Sequence, residues 1–104
     1  MVKIELTKKD NLNQKLHIYG HANAGEYNQD LVCAAITGII TGALNAFDAN
    51  YHNDVELIVK DNDIQIIVKN LKNQELQEVF KFLLKQLETV TVQYPQNAIL
   101  KEVN

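Results

Sequence analysis

Residues 55–70 read VELIVKDNDIQIIVKN. Val55, Leu57 and Val59 alternate with their neighbours, and after Asp61-Asn62 the alternation resumes at Ile64, Ile66 and Val68. A period of two belongs to a strand with one buried face, and Asp-Asn tolerates the backbone of a tight turn. The stretch predicts a β-hairpin. Its flanks predict the rest of the fold.

Upstream, Val32, Ala35, Ile36, Ile39, Ile40, Ala43, Leu44 and Phe47 recur at helical spacing and make one apolar stripe. Asp30 is placed to cap this helix. Ala34, Gly38, Gly42 and Ala46 form a second ridge of small residues, each four apart. A glycine inside a helix costs up to about 1 kcal/mol relative to alanine. The ridge therefore predicts close packing against another backbone, the second helix or a dimer partner, with packing inside the subunit favoured. Downstream, Leu76, Val79, Phe80, Leu83, Leu87, Val90 and Tyr94 predict a second helix, capped by Asn73 and stopped by Pro95. Glu75 and Glu78 suit the positive end of its dipole.

At the N-terminus, Val2, Ile4 and Leu6 alternate with polar residues, KKDNLNQ at 8–14 reads as a turn, and alternation resumes from Lys15. Leu16, Ile18 and Gly20 fall on one face of that strand, with His17, Tyr19 and His21 on the other. AILKEV at 98–103 supplies a last strand. The order β-β-α-β-β-α-β predicts an α+β two-layer sandwich, two helices packed on a largely antiparallel sheet. Residues 1–104 form a single domain on this reading.

The chain carries ten basic and thirteen acidic residues, a formal charge of −3, and Lys8-Lys9 is its only adjacent basic pair. Direct nucleic-acid binding needs clustered cations, so it is not expected. A basic protein partner suits the acidic balance better. One cysteine forms no internal disulfide and excludes multi-cysteine zinc sites. The apolar runs are all short, which predicts no membrane association and a cytoplasmic protein.

The chemistry gathers in GHANAGEYNQDLVCAA, residues 20–35. With Asp30 as cap, Cys33 becomes the third helical residue, where free amides and the dipole favour a thiolate. The helical step puts it at the edge of the apolar stripe, partly reachable. His21, twelve residues earlier at a strand end, can neighbour it and accept the thiol proton. The amides of Cys33 and Ala34 are candidate oxyanion donors. Glycine at position 25 admits a loop that turns or hinges. The plainer alternative is that Cys33 is a small packed hydrophobe. His17, His21 and Cys33 match no recurrent metal spacing, so no metal or other cofactor is expected. His17 and His52 read as surface or satisfied histidines, and Glu26 and Tyr27 as loop residues.

On these residues the sequence resembles the bacterial ribosomal-processing cysteine proteases. The resemblance rests on Gly20-His21-Ala22, a short loop containing Gly25, and Asp30-Leu31-Val32-Cys33-Ala34 opening a helix. It implies Cys33 as nucleophile and His21 as general base. The implied substrate is the N-terminal extension of a bacterial large-subunit ribosomal protein, the twenty-seventh, whose removal serves ribosome assembly. It also implies a homodimer and a mobile loop between histidine and cysteine. Thr37 departs from the serine frequent in the family four residues after the cysteine, although its hydroxyl keeps the capacity to hydrogen-bond. Two other functions compete: a ribosome-assembly binding module without catalysis, and a redox-sensing thiol, which lacks a resolving cysteine in this chain.

Overall fold

The hairpin predicted at 55–70 forms, and it takes its place at one edge of a five-stranded sheet. The computed structural model describes residues 1–20 and 27–103, with the helical backbone alone for 27–30. The elements are β1 (Val2–Lys9), β2 (Leu12–Tyr19), α1 (Tyr27–Tyr51), β3 (Val55–Lys60), β4 (Asp63–Val68), α2 (Gln74–Gln93) and β5 (Ala98–Val103). The sheet order is β3-β4-β2-β1-β5. Every pairing is antiparallel except β1 with β5, which is parallel. This is the expected α+β two-layer arrangement, with a mixed sheet.

The turn expected at 8–14 is shorter than that. Asp10 and Asn11 both take left-handed backbone, φ 53° and 64°, and together make the two-residue turn. Positive φ at both centres suits the right-handed twist of a hairpin, and Asp and Asn bear it with little strain. Polar β2 residues then stay in the ladder through a bulge. Lys15 faces Thr7 but Asn13 faces Lys8, leaving Gln14 as the extra residue. Gln77 of α2 holds this irregular backbone. The Asn13 N–H donates to Gln77 Oε1 at 2.9 Å and Gln77 Nε2 donates to the Asn13 carbonyl at 2.8 Å. Simple alternation has no signal for a bulge held by a helix side chain.

One sheet face is buried under the helices. Ile4, Leu16 and Ile66 from the strands meet Ile40 and Phe47 from α1 and Leu76, Phe80 and Leu87 from α2, all fully buried. The Phe47 and Phe80 rings lie 6.1 Å apart at the helix–helix contact. Asn73 caps α2 as expected, accepting from the Leu76 N–H at 3.0 Å, and α2 ends at Gln93, two residues before Pro95. The other sheet face carries polar pairs. His17 Nε2 lies 2.8 Å from Asp63 Oδ1, its ring stacks on Tyr19, and the Tyr19 hydroxyl donates to Glu5. That hydrogen bond to the carboxylate holds the Tyr19 phenol above its usual pKa.

Two expectations about α1 are corrected. It begins at Tyr27, so Tyr27 is helical and Asp30 is its fourth residue instead of its cap. No glycine or proline interrupts 26–37. The helix therefore extends through polar residues that carry no apolar period. The second correction concerns the small ridge. Gly38 and Gly42 are exposed, and a Cβ built on either meets nothing within 4 Å. The ridge therefore does not pack inside the subunit. Instead Gly38, Gly42 and Ala46 floor an open groove of about 290 Å³ walled by Val79 and Phe82 of α2. Phe82 is 68% exposed there. Leu31–Tyr51 is also long and apolar enough, by composition alone, to cross a membrane, because alanine, glycine and threonine make up much of its outer side. In this fold its inner side, Val32, Ile36, Ile40 and Phe47, is part of the core.

Candidate active site

Cys33 lies on the seventh residue of α1, half-buried at the core edge, as its angle from the apolar stripe predicts. It opens on a cleft of about 250 Å³ between the N-terminal half of α1 and the strand ends beneath it. Val2, Ile18, Ile36, Ile40 and Ile64 make the cleft apolar, and Thr37 and Thr41 continue along α1 from Cys33 at four-residue steps. At that spacing the thiol and the two hydroxyls follow one line along the helix. Thr37 is exposed, one turn from the sulfur.

Opposite α1 the wall is Gly20 and the β3–β4 turn, Lys60 to Asp63. The Gly20 N–H donates to the Asn62 carbonyl at 3.1 Å, tying the end of β2 to that turn. Gly20 has φ +83°, and a Cβ there would sit 2.5 Å from the Met1 carbonyl oxygen. Only glycine fits both the angle and the approach. Asn62 takes left-handed backbone as well, φ 58°. The chain thus leaves β2 held on two sides, one residue before His21. Asp63 turns its carboxylate to His17 on the far sheet face, and the other acidic residue lining the cleft is Asp61, which is exposed.

Not every expected site residue stands where spacing put it. His21, Ala22 and Gly25 lie outside the described residues, and so does the side chain of Asp30. With α1 starting at Tyr27, Ala34 is the eighth helical residue and Cys33 the seventh. Amides that far into a helix point at the carbonyl four residues back. The expected oxyanion donation from Ala34 is therefore corrected, since its N–H is committed within the helix. Ala34 and Ala35 are exposed, which leaves room beside the sulfur. Two members of the nominal metal trio also lie apart. His17 is on the outer sheet face and Cys33 on the inner, and no cluster of three metal-ligating side chains exists among the described residues. Thr41 and the Lys60–Asp63 turn were missed by the sequence reading. Their place beside Cys33 follows from sheet order, which no local pattern encodes.

The profile of the family described as Cysteine protease Prp matches residues 1–99. A ribosomal processing cysteine protease Prp of Mycoplasma pneumoniae is 33% identical over 90 residues, covering 81% of this chain and 82% of that protein. The protein of that name from Staphylococcus aureus is 29% identical over 80 residues, 75% of this chain and 76% of its own. The crystal structure of the S. aureus ribosomal processing protease Prp with a covalently linked product peptide has a TM-score of 0.87 and 25% identity, covering 99% of this chain and all of that one.

Proposed function

Because the chain belongs to the Prp family of cysteine proteases, we propose that it removes the N-terminal extension of a bacterial large-subunit ribosomal protein, the twenty-seventh, in the cytoplasm. The observation that carries this reading is Cys33, half-buried yet opening on an apolar cleft whose far wall is the glycine preceding His21. An apolar cleft of this size takes one or two hydrophobic side chains beside the sulfur. In the reaction His21 takes the Cys33 proton, and the thiolate adds to the scissile carbonyl. Collapse of the tetrahedral adduct breaks the C–N bond, and the imidazolium protonates the leaving amine. Water, deprotonated by the same imidazole, then hydrolyses the thioester and returns the thiol. Asp30 belongs to the first turn of α1. Thr37, one turn from the sulfur, is the hydroxyl available to the substrate backbone.

The test is incubation with a peptide spanning the extension and the mature start, read by mass spectrometry. One cut is expected with the wild-type chain and none with Cys33→Ala or His21→Ala. Cleavage that survives in both variants would defeat the mechanism. A chain that binds the peptide without cutting it would instead be the assembly module.

The homodimer belongs to the same proposal. The groove of Gly38, Gly42 and Ala46, with exposed Phe82 beside it, suits a second copy, because small residues let two backbones approach closely. A Cβ at Gly42 meets nothing within 4 Å, so Gly42→Leu is expected to fold, which circular dichroism checks. Light scattering should report a dimer for the wild type and a monomer for Gly42→Leu. A dimer in both would place the interface elsewhere.

A further inference from the structure

β3 is an edge strand, and its inner face is unevenly covered. Val55 is 4% exposed and Leu57 half-buried, yet Val59 on the same face is 61% exposed. The bare end is the one at the active site. Val59 pairs with Ile64, which lines the Cys33 cleft, and the next residue, Lys60, lines it too.

The backbone at the same residues is open. Lys60 and Asp63 face each other across the two-residue turn, so they exchange both ladder hydrogen bonds. Alternation then makes Ile58–Gln65 and Glu56–Ile67 hydrogen-bonded pairs, and Val59–Ile64, Leu57–Ile66 and Val55–Val68 the others. The N–H and C=O groups of Val55, Leu57 and Val59 therefore point away from β4, to the free edge. Edge strands are commonly shielded by charge or proline at such positions. Here the charged Glu56 and Lys60 sit at the alternate positions and leave the ladder accessible.

We propose that the peptide substrate of Cys33 binds as a sixth strand on the free edge of β3, covering Val59 and passing from that end into the cleft. The proposal rests on the protease reading above. An extended chain is the occupant that satisfies a row of alternate N–H and C=O groups, and it is also the form a protease must present at its nucleophile. The edge is continuous with the cleft through Val59 and Lys60, so no second binding surface is needed. From Val55 to Val59 the ladder runs about 13 Å, which engages about five substrate residues on one side of the scissile bond.

The test is a scan of the same peptide with single backbone N-methyl groups. On one side of the cut, KM should rise about tenfold at alternate residues, the effect of roughly one lost hydrogen bond, and change little between them. Val59→Asp should raise KM far more than it lowers kcat, with iodoacetamide labelling of Cys33 as in the wild type. In the Cys33→Ala variant, bound peptide should slow amide exchange at Val55, Leu57 and Val59. Normal cleavage with a flat N-methyl profile, or bound peptide that leaves those three amides unprotected, overturns strand addition and leaves the protease reading standing. A peptide neither cut by the wild type nor bound by Cys33→Ala overturns both.

Discussion

Alanine at position 20 is expected to cost about 2–4 kcal/mol of stability and most of the cleavage activity. Two effects add. An L-residue at φ +83° carries the strain of left-handed backbone, and its Cβ would stand 2.5 Å from the Met1 carbonyl oxygen. The second contact is with backbone, so neither side can yield by a rotamer change. Relief comes only by pulling the end of β2 away from the start of β1, which strains the 3.1 Å bond from the Gly20 N–H to the Asn62 carbonyl. That bond closes the wall opposite Cys33, and the displaced residue directly precedes His21. Urea denaturation with an unchanged m-value should give the stability loss, and peptide cleavage should fall at least tenfold at a temperature where the variant stays folded, the rate change from about 1.4 kcal/mol of lost transition-state stabilisation. A variant as stable and active as the wild type would mean that the chain turns differently after β2.

Phe80→Ala is the larger stability effect, about 3–5 kcal/mol. The ring is fully buried, contacts Phe47 at 6.1 Å between centroids, and joins α2 to α1 above the sheet. Its removal leaves a cavity that two helices and a sheet cannot all close upon. A domain of this size holds on the order of 5–15 kcal/mol, so the variant should be close to unfolding at 37 °C. Phe47 is fourteen residues beyond Cys33, about 21 Å along the helix. The folded fraction should therefore keep the wild-type rate per molecule. A loss under about 1.5 kcal/mol would show that the helices repack over the gap.

Both variants probe features that differ in how visible they are in the sequence. Phe80 stands in a stripe of apolar residues at helical spacing, and such a stripe has one stable use, burial against a sheet face. The same holds for alternation in β1, β3 and β4 and for Asn73 ahead of α2. Local chemistry fails where polar residues continue an element. β2 begins at Leu12 rather than Lys15, since its bulge is held by Gln77, sixty-four residues away from Asn13. α1 begins at Tyr27, since a polar first turn shows no apolar period. That shift of a few residues moved Cys33 from the third helical position to the seventh and took Ala34 out of the oxyanion role.

The ridge of Gly38 and Gly42 was equally legible as a pattern, but the neighbour expected inside the subunit does not reach it. Small residues at four-residue spacing signal close approach by something, and spacing carries no information on whether that partner belongs to the same chain. The order of elements, the apolar faces and the half-exposed Cys33 were all determined by the sequence itself, because each follows from periodicity and the geometry of one helix or strand. Only the tertiary structure set β4 beside β2. That pairing brings the Asn62 carbonyl to Gly20, places the β3–β4 turn across from Cys33, and leaves β3 with an open edge leading into the cleft. Strand order depends on the summed packing of all the elements, and no local stretch encodes it.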